Sequence, residues 1–158
     1  TARHPAMTTR FLPALLAACA ATTCLAAPPD ACQIITMDEV NSIAGGAATR
    51  IVPQQSGNPS ACAFQDARRA AVLVIKIRGV QYAAENELQH ERENLEKIYR
   101  NKVKWIEGVG DRAFWLHANK SGMFRKGKFL VTVTFSREQN ATEVDTMQVA
   151  RLIENRIK

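Results

Sequence analysis

The spacing of apolar and polar positions predicts three amphipathic helices, at residues 36–44, 82–99 and 142–157. The first helix is the best marked, because Thr36 and Glu39 have the spacing of a capping box and a Gly-Gly pair follows the last turn. The second helix is long, with Leu88, Leu95 and Ile98 on one face and charged residues on the other. We interpret the charged face as solvated, and a docking surface is the alternative.

Short apolar or alternating runs predict seven strands, at 51–52, 61–64, 72–78, 103–106, 113–116, 123–125 and 129–135. Residues with turn chemistry at 119–122 and 126–128 separate the last three strands and predict hairpins. The expected fold class is therefore α+β. We expect a largely antiparallel sheet packed by a long middle helix and a C-terminal helix, with a short N-terminal helix.

Residues 1–27 differ from the remainder, because they contain two arginines, no acidic residue and no charge from residue 11 onward. This pattern predicts a signal segment at 1–27, with Met7 as its start, and a single domain at 28–158. The apolar run is too short for a membrane-spanning helix, which needs about 20 apolar residues. The protein is therefore expected to be exported to the periplasm.

Two cleavage sites fit the signal segment. The run Leu16-Ala17-Ala18-Cys19 matches a lipobox, so that Cys19 would carry lipid and tether the protein to a membrane. Alternatively, small residues at Cys24-Leu25-Ala26 place the cut before Ala27 and give a soluble periplasmic protein. Both interpretations stay open at this point.

The expected domain keeps two cysteines, Cys32 and Cys62. In an exported protein such an even pair indicates a disulfide bond. Closing a loop of this length stabilises a fold by roughly 3–4 kcal/mol in the loop-entropy model. No Cys-x-x-Cys motif is present, and no histidine lies near either cysteine in sequence.

Charge and motifs narrow the function classes. Without residues 1–27 the chain has 19 basic and 15 acidic residues, so nucleic acid is not an expected partner. The sequence lacks a nucleophile elbow, a phosphate loop and a dinucleotide fingerprint, and His90 has no second histidine at zinc-protease spacing. We therefore expect a protein that is not an enzyme, with no catalytic residues, no metal and no cofactor.

A basic cluster marks the predicted hairpin. It comprises Lys120, Arg125, Lys126 and Lys128. Such a cluster suits an anionic envelope component, although basic residues are also typical of exposed turns. Lys97, Arg100, Lys102 and Lys104 would extend the cluster if the end of the long helix lies beside the hairpin.

The most distinctive stretch runs from Trp105 to Trp115 and contains the turn Gly108-Val109-Gly110-Asp111. A later strand is preceded by Arg125-Lys126-Gly127-Lys128. This combination resembles small exported bacterial proteins, many of them lipoproteins of unknown function, with domains similar to the PsbP-like α+β sandwich. The resemblance implies a binding or assembly module and no catalytic residues. Trp105 and Trp115 are expected in the core, with a surface groove as the alternative.

Three functional hypotheses follow, and all of them concern binding. The first is a non-enzymatic envelope protein that binds a protein or envelope component through its sheet or hairpin. The second is a periplasmic inhibitor or immunity protein, which would form a tight stoichiometric complex with a secreted hydrolase. The third is a small-ligand sensor or carrier with an apolar pocket between the sheet and the long helix.

Overall fold

A seven-stranded antiparallel sheet and three helices form the part of the chain that the computed structural model describes, residues 27–80 and 84–158. The strand order is β1-β2-β3-β7-β6-β5-β4. The helices are α1 (Met37–Ala44), α2 (Ala84–Tyr99) and α3 (Glu143–Glu154). The strands are β1 (Arg50–Gln55), β2 (Ser60–Gln65), β3 (Ala71–Gly79), β4 (Val103–Ile106), β5 (Arg112–Leu116), β6 (Ser121–Lys126) and β7 (Phe129–Phe135). The α+β class is confirmed, as is the predicted order of elements.

Each face of the sheet packs against its own helices. On the first face, α1 and α3 contribute Val40, Val149 and Ile153 to a large core with inward-facing side chains of the central strands, such as Ile75 and Val133. On the second face, α2 contributes Leu88 to a smaller cluster with Phe114 and Leu130. The sheet is therefore a middle layer, covered by two helices on one side and by one helix on the other.

Capping boxes fix the starts of two helices. The Thr36 hydroxyl accepts from the Glu39 N–H, the Glu39 carboxylate accepts from the Thr36 N–H, and Gly45 ends α1 in the left-handed region. Thr142 and Asp145 form the same arrangement at the start of α3. These local interactions satisfy backbone donors that a helix otherwise leaves unpaired.

The pairing register defines two ends of the sheet. One row of paired residues crosses six strands, in the order Ala63, Val74, Thr134, Ser121, Leu116 and Val103. This row lies close to one end of the sheet. At that end β2, β5 and β7 finish, and β1, β3, β4 and β6 begin. The opposite end carries the turn between β6 and β7, the start of β5 and the C-terminus of α3, which the Lys126–Glu154 ion pair (3.1 Å) links to β6.

The predicted turn at 119–122 is wrong in its position. A 3₁₀ turn over His117–Asn119 and a left-handed Lys120 make the connection, so Ser121 and Gly122 already belong to β6. Gly122 serves helix packing instead, since a Cβ there would lie 2.5 Å from the terminal methyl of Met147 and 3.1 Å from the methyl of Thr146.

Two further expectations differ from the structure. Residues 53–55 were expected in a loop, but β1 continues through Pro53 to Gln55, which is compatible with an edge strand. Ile98 was expected on the apolar face of the long helix, but it is 69% exposed. Leu88 and Leu95 carry the apolar face of the helix onto the sheet.

Candidate functional site

A groove lies between α2 and the second face of the sheet. Leu88 is fully buried against Phe114 and Leu130, and this contact anchors the helix. Toward the C-terminal half of α2, Leu95 is only partly buried. A groove of about 360 Å³ opens there, lined by Lys76, Arg78, Glu91, Leu95, Asn119, Ser121, Met123, Leu130, Thr132 and Thr134.

The floor of the groove carries hydroxyl groups from neighbouring strands. Ser121 of β6 pairs with Thr134 of β7, and Thr132 of β7 pairs with Lys76 of β3. The Ser121 hydroxyl donates to Asn119 Oδ1 over 2.6 Å, which fixes the turn beside the groove. Hydroxyl groups both donate and accept, so this floor suits a ligand with several polar groups.

Above this floor, one wall of the groove is apolar and the other is charged. Leu95 and Met123 supply apolar contact area. Arg78 pairs with Glu87 over 3.3 Å, whereas Lys76 is exposed and has no ion pair within the described residues. An ammonium beside hydroxyl groups favours ligands that carry a carboxylate or phosphate.

The groove continues toward the end of the sheet where β7 finishes. A second depression of about 350 Å³ shares Asn119 and Thr134 with the groove and extends to Ala70 and Arg137. A ligand longer than the first depression would therefore pass along β7 toward Arg137.

The disulfide between Cys32 and Cys62 is confirmed, with the two Cα atoms 5.1 Å apart. The bond ties the segment before α1 to the centre of β2. Ala31 N–H also donates to Ser60 Oγ over 2.9 Å, so the N-terminal lead-in follows β2. Cys19, the candidate for lipidation, lies outside the described residues.

The two tryptophans lie on opposite faces of the sheet. Trp115 is buried in the large core, whereas Trp105 pairs with Phe114 and packs on the second face. The Trp105 ring lies between two guanidinium groups, Arg112 at 3.9 Å and Arg92 at 4.9 Å from its centroid. Trp105 and Trp115 therefore do not line one groove.

The basic residues predicted on the hairpin are divided between its two ends. Lys120 precedes β6, and its ammonium donates to the backbone carbonyls of Arg137 and Gln139. At the far end of β6, Arg125 lies 3.7 Å from both Glu85 and Asp111, and Lys126 pairs with Glu154. Lys128 in the next turn lies over the Phe129 ring at 5.7 Å. The four basic residues and the two tryptophans considered for a binding surface therefore do not form one surface, because Lys120 lies at the other end of β6 from Arg125, Lys126 and Lys128.

The Gly108–Asp111 turn contacts the turn between β6 and β7. A Cβ at Gly110 would lie 2.2 Å from the Arg125 carbonyl oxygen, so this position requires glycine. Asp111 N–H donates to that carbonyl over 2.8 Å, and the Asp111 carboxylate accepts from Gly127 N–H over 2.7 Å. The two sequence features that carry the family resemblance therefore hold each other in place.

One carboxylate has a strongly shifted pKa. The hydrogen bonds from the Arg156 guanidinium, and then from the Thr36 N–H, lower the pKa of Glu39 from 4.5 to about 2. This ion pair joins α1 to the chain after α3 and lies outside the groove. In residues 27–80 and 84–158 no group of three or more metal-ligand side chains occurs.

The third functional hypothesis placed an apolar pocket between the sheet and the long helix, but the sequence did not single out the hydroxyl-bearing residues that line this groove. The alternation in β7 places Leu130, Thr132 and Thr134 on one face, and these polar residues on an inner strand were the available signal. Ser121 and Asn119 looked like turn residues, and Lys76 looked like an ordinary surface lysine. Only the strand order brings them together.

None of the described helices is long and apolar enough to cross a membrane. We found no family model that matches the chain. Searches of curated proteins and of solved structures also gave no match. The site is therefore interpreted from its own geometry.

Proposed function

We propose that the protein is an exported, non-enzymatic binding module of the bacterial cell envelope, similar to PsbP-like domains. We further propose that it holds an envelope component in the groove between α2 and the sheet. The observation that carries this proposal is the hydroxyl-lined floor formed by Ser121, Thr132 and Thr134 beside the exposed ammonium of Lys76.

The ligand chemistry follows from the lining. The hydroxyl groups, the basic Lys76 and Arg78 and the acidic Glu91 suit a ligand with hydroxyl, carboxylate and amino groups. Leu95 and Met123 suit an apolar stem or ring face. Fragments of cell-wall glycan that still carry their peptides combine these groups. The continuation toward Arg137 gives such a fragment room to extend.

Titration calorimetry with soluble cell-wall fragments tests this proposal. The variant Thr132→Val with Thr134→Val removes two hydroxyls from the floor with little change in volume and should weaken binding about tenfold or more. Thr49→Val is the matched control, because Thr49 is an exposed threonine that does not line the groove. Equal affinity of the floor variant and the control, or no binding of any fragment by the unaltered chain, would contradict the proposal.

A small-ligand sensor or carrier is the second candidate. The groove lies between the sheet and the long helix, and its volume of about 360 Å³ is in the range of small-molecule sites. This candidate predicts tight binding of a small free solute and no affinity for cell-wall fragments. The predominance of hydroxyl and charged groups in the lining favours the first candidate.

A further inference from the structure

The topology gathers seven basic residues at one end of the molecule. We call this end the basic end and define it by Arg50, Arg68, Arg69, Arg100, Lys102, Lys120 and Arg137. These residues start or precede β1, β3, β4 and β6, or follow β7. Hydrogen bonds across the turns, such as Ser136 N–H to the Val72 carbonyl over 3.0 Å, link neighbouring parts of this end. Seven strands at about 4.8 Å spacing spread the cations over roughly 30 Å.

Most of these cations have no carboxylate partner. Arg68 lies 3.9 Å from Asp66 with its side chain 90% exposed, and Lys120 donates to backbone carbonyls. No ion pair within the described residues is made by the remaining five, Arg50, Arg69, Arg100, Lys102 and Arg137. Residues 1–26 and 81–83 contain no aspartate or glutamate that could supply a partner.

Most of the acidic groups near these cations are engaged locally. Asp66 Oδ1 accepts from the N–H groups of Arg68 and Ala70. Glu143 pairs with Lys104 over 3.0 Å, and Asp145 caps α3. Glu138 shares the turn of Arg137 and is exposed. The basic end therefore keeps a net positive charge.

Exposed aliphatic side chains occur at the same end. Within the described part of the chain the exposed large hydrophobic residues are Ile51 (38%), Ile98 (69%) and Val144 (73%). Ile51 is the second residue of β1, Ile98 the last but one of α2, and Val144 the second of α3. All three positions lie at the basic end. Single exposed apolar residues are ordinary on a protein surface, but three of them interleaved with unpaired cations at one end are characteristic of interfacial membrane binding.

We propose that the basic end docks on the surface of an anionic lipid bilayer. The arginines and lysines contact the lipid phosphates, and Ile98 and Val144 enter the boundary between headgroups and acyl chains. The continuation of the groove reaches Arg137 of this surface, but Thr132 and Lys76 lie outside it. The floor variant therefore tests the groove, and the vesicle variants test the docking proposal separately.

Vesicle sedimentation with the full chain tests the docking proposal. The unaltered chain should bind phosphatidylglycerol-containing vesicles more tightly than pure phosphatidylcholine vesicles, with an affinity that falls as salt is added. Each basic residue near an anionic surface contributes about fivefold, so Arg50→Gln with Arg68→Gln and Arg137→Gln should weaken binding on the order of 100-fold. The matched control is Lys128→Gln with Arg151→Gln and Lys158→Gln, which removes the same charge from exposed residues away from the basic end. Equal losses in the two triple variants, or equal binding to both kinds of vesicle, would overturn the proposal.

A second variant separates a bilayer from a soluble polyanion. Ile98→Ser with Val144→Ser removes the two most exposed aliphatic side chains without touching the core. It should weaken vesicle binding several-fold and leave binding of polyphosphate unchanged. If the unaltered chain binds polyphosphate as tightly as vesicles, and this variant binds both as before, the surface is a polyanion site and the proposal is wrong.

Discussion

Both ends of the sheet carry several cations, but they use them differently. At the end that we call the paired end, around the turn between β6 and β7, Arg125, Lys126 and Arg156 each contact a carboxylate. At the basic end, Arg50 and Arg137 make no ion pair within the described residues. Arg125, Lys126 and Arg156 hold elements of the fold together, whereas most cations of the basic end are available to a partner.

The difference arises from where the acidic residues lie. The paired end receives Glu85 from the start of α2, Asp111 from the turn before β5 and Glu154 from the end of α3. The basic end receives the C-terminus of α2, where Arg100 and Lys102 follow the helix. A local count of positive residues therefore says little about binding until the facing carboxylates are known.

The largest expected effect concerns a glycine at the paired end. Gly110→Ala would place a Cβ 2.2 Å from the Arg125 carbonyl oxygen, in a residue with φ of +58°, so the two turns could no longer meet. We expect a loss of about 3 kcal/mol in the free energy of unfolding. Gly108→Ala is the control, because φ there is +73° but no atom lies within 4 Å, and it should cost about 1 kcal/mol. Urea unfolding measures both variants, and equal losses would mean that the turns do not touch as described.

The second prediction compares one arginine from each end. Arg125→Gln removes the 3.7 Å ion pairs to Glu85 and Asp111 and should cost about 1 kcal/mol of unfolding free energy. Arg137→Gln removes an exposed side chain without an ion pair and should change stability by less than about 0.5 kcal/mol. If Arg137→Gln lowers the free energy of unfolding as much as Arg125→Gln does, the two ends do not differ in the way described.

Acid should weaken the paired end through Glu39. The pKa of Glu39 is lowered from 4.5 to about 2 in the folded protein, so the unfolded chain binds the proton first as the pH falls. The stability contributed by the pair with Arg156 is therefore complete above about pH 4.5 and is lost as the pH falls toward 2. We expect the loss to be about 1 kcal/mol after allowance for solvent screening. Urea unfolding of Glu39→Gln beside the unaltered chain should show the difference at neutral pH and none at the acidic limit; a constant difference would contradict it.

The smallest expected effect concerns Lys120, the cation of the basic end whose charged group is hydrogen-bonded within the fold. Lys120 uses its ammonium to bind the backbone carbonyls of Arg137 and Gln139. Lys120→Met should therefore cost about 1 kcal/mol in thermal or urea unfolding. If it costs nothing, Lys120 belongs with the unpaired cations.

Local chemistry in the sequence predicted the helices and most of the strands. The capping box at Thr36 and the alternation in β7 depend on neighbouring residues, and both appear in the structure as expected. The disulfide joins residues 30 positions apart and was predicted from the even cysteine count after a signal-like segment. Interactions between nearby residues are what sequence patterns report most directly.

The placement of the surface residues depended on register and strand order. Pairing of Lys104 with Trp115 sets Trp105 and Trp115 on opposite faces. Lys120 precedes β6 and Lys126 ends it, so about 20 Å of strand separates the two, and Arg125 lies one residue closer to Lys120. The direction of α2 places Arg100 at the same end of the sheet as Lys120 and at the opposite end from Lys126. The sequence alone left open whether the end of the long helix lies beside the hairpin.

Hydrogen–deuterium exchange with and without phosphatidylglycerol vesicles tests most directly whether the basic end is the docking surface. We predict slower exchange of backbone amides at 66–70, 98–102 and 137–140 when vesicles are present, and unchanged exchange at 126–128 in the paired end. Protection at 126–128 without protection at 66–70 and 137–140, or protection spread equally over both ends, would contradict the account.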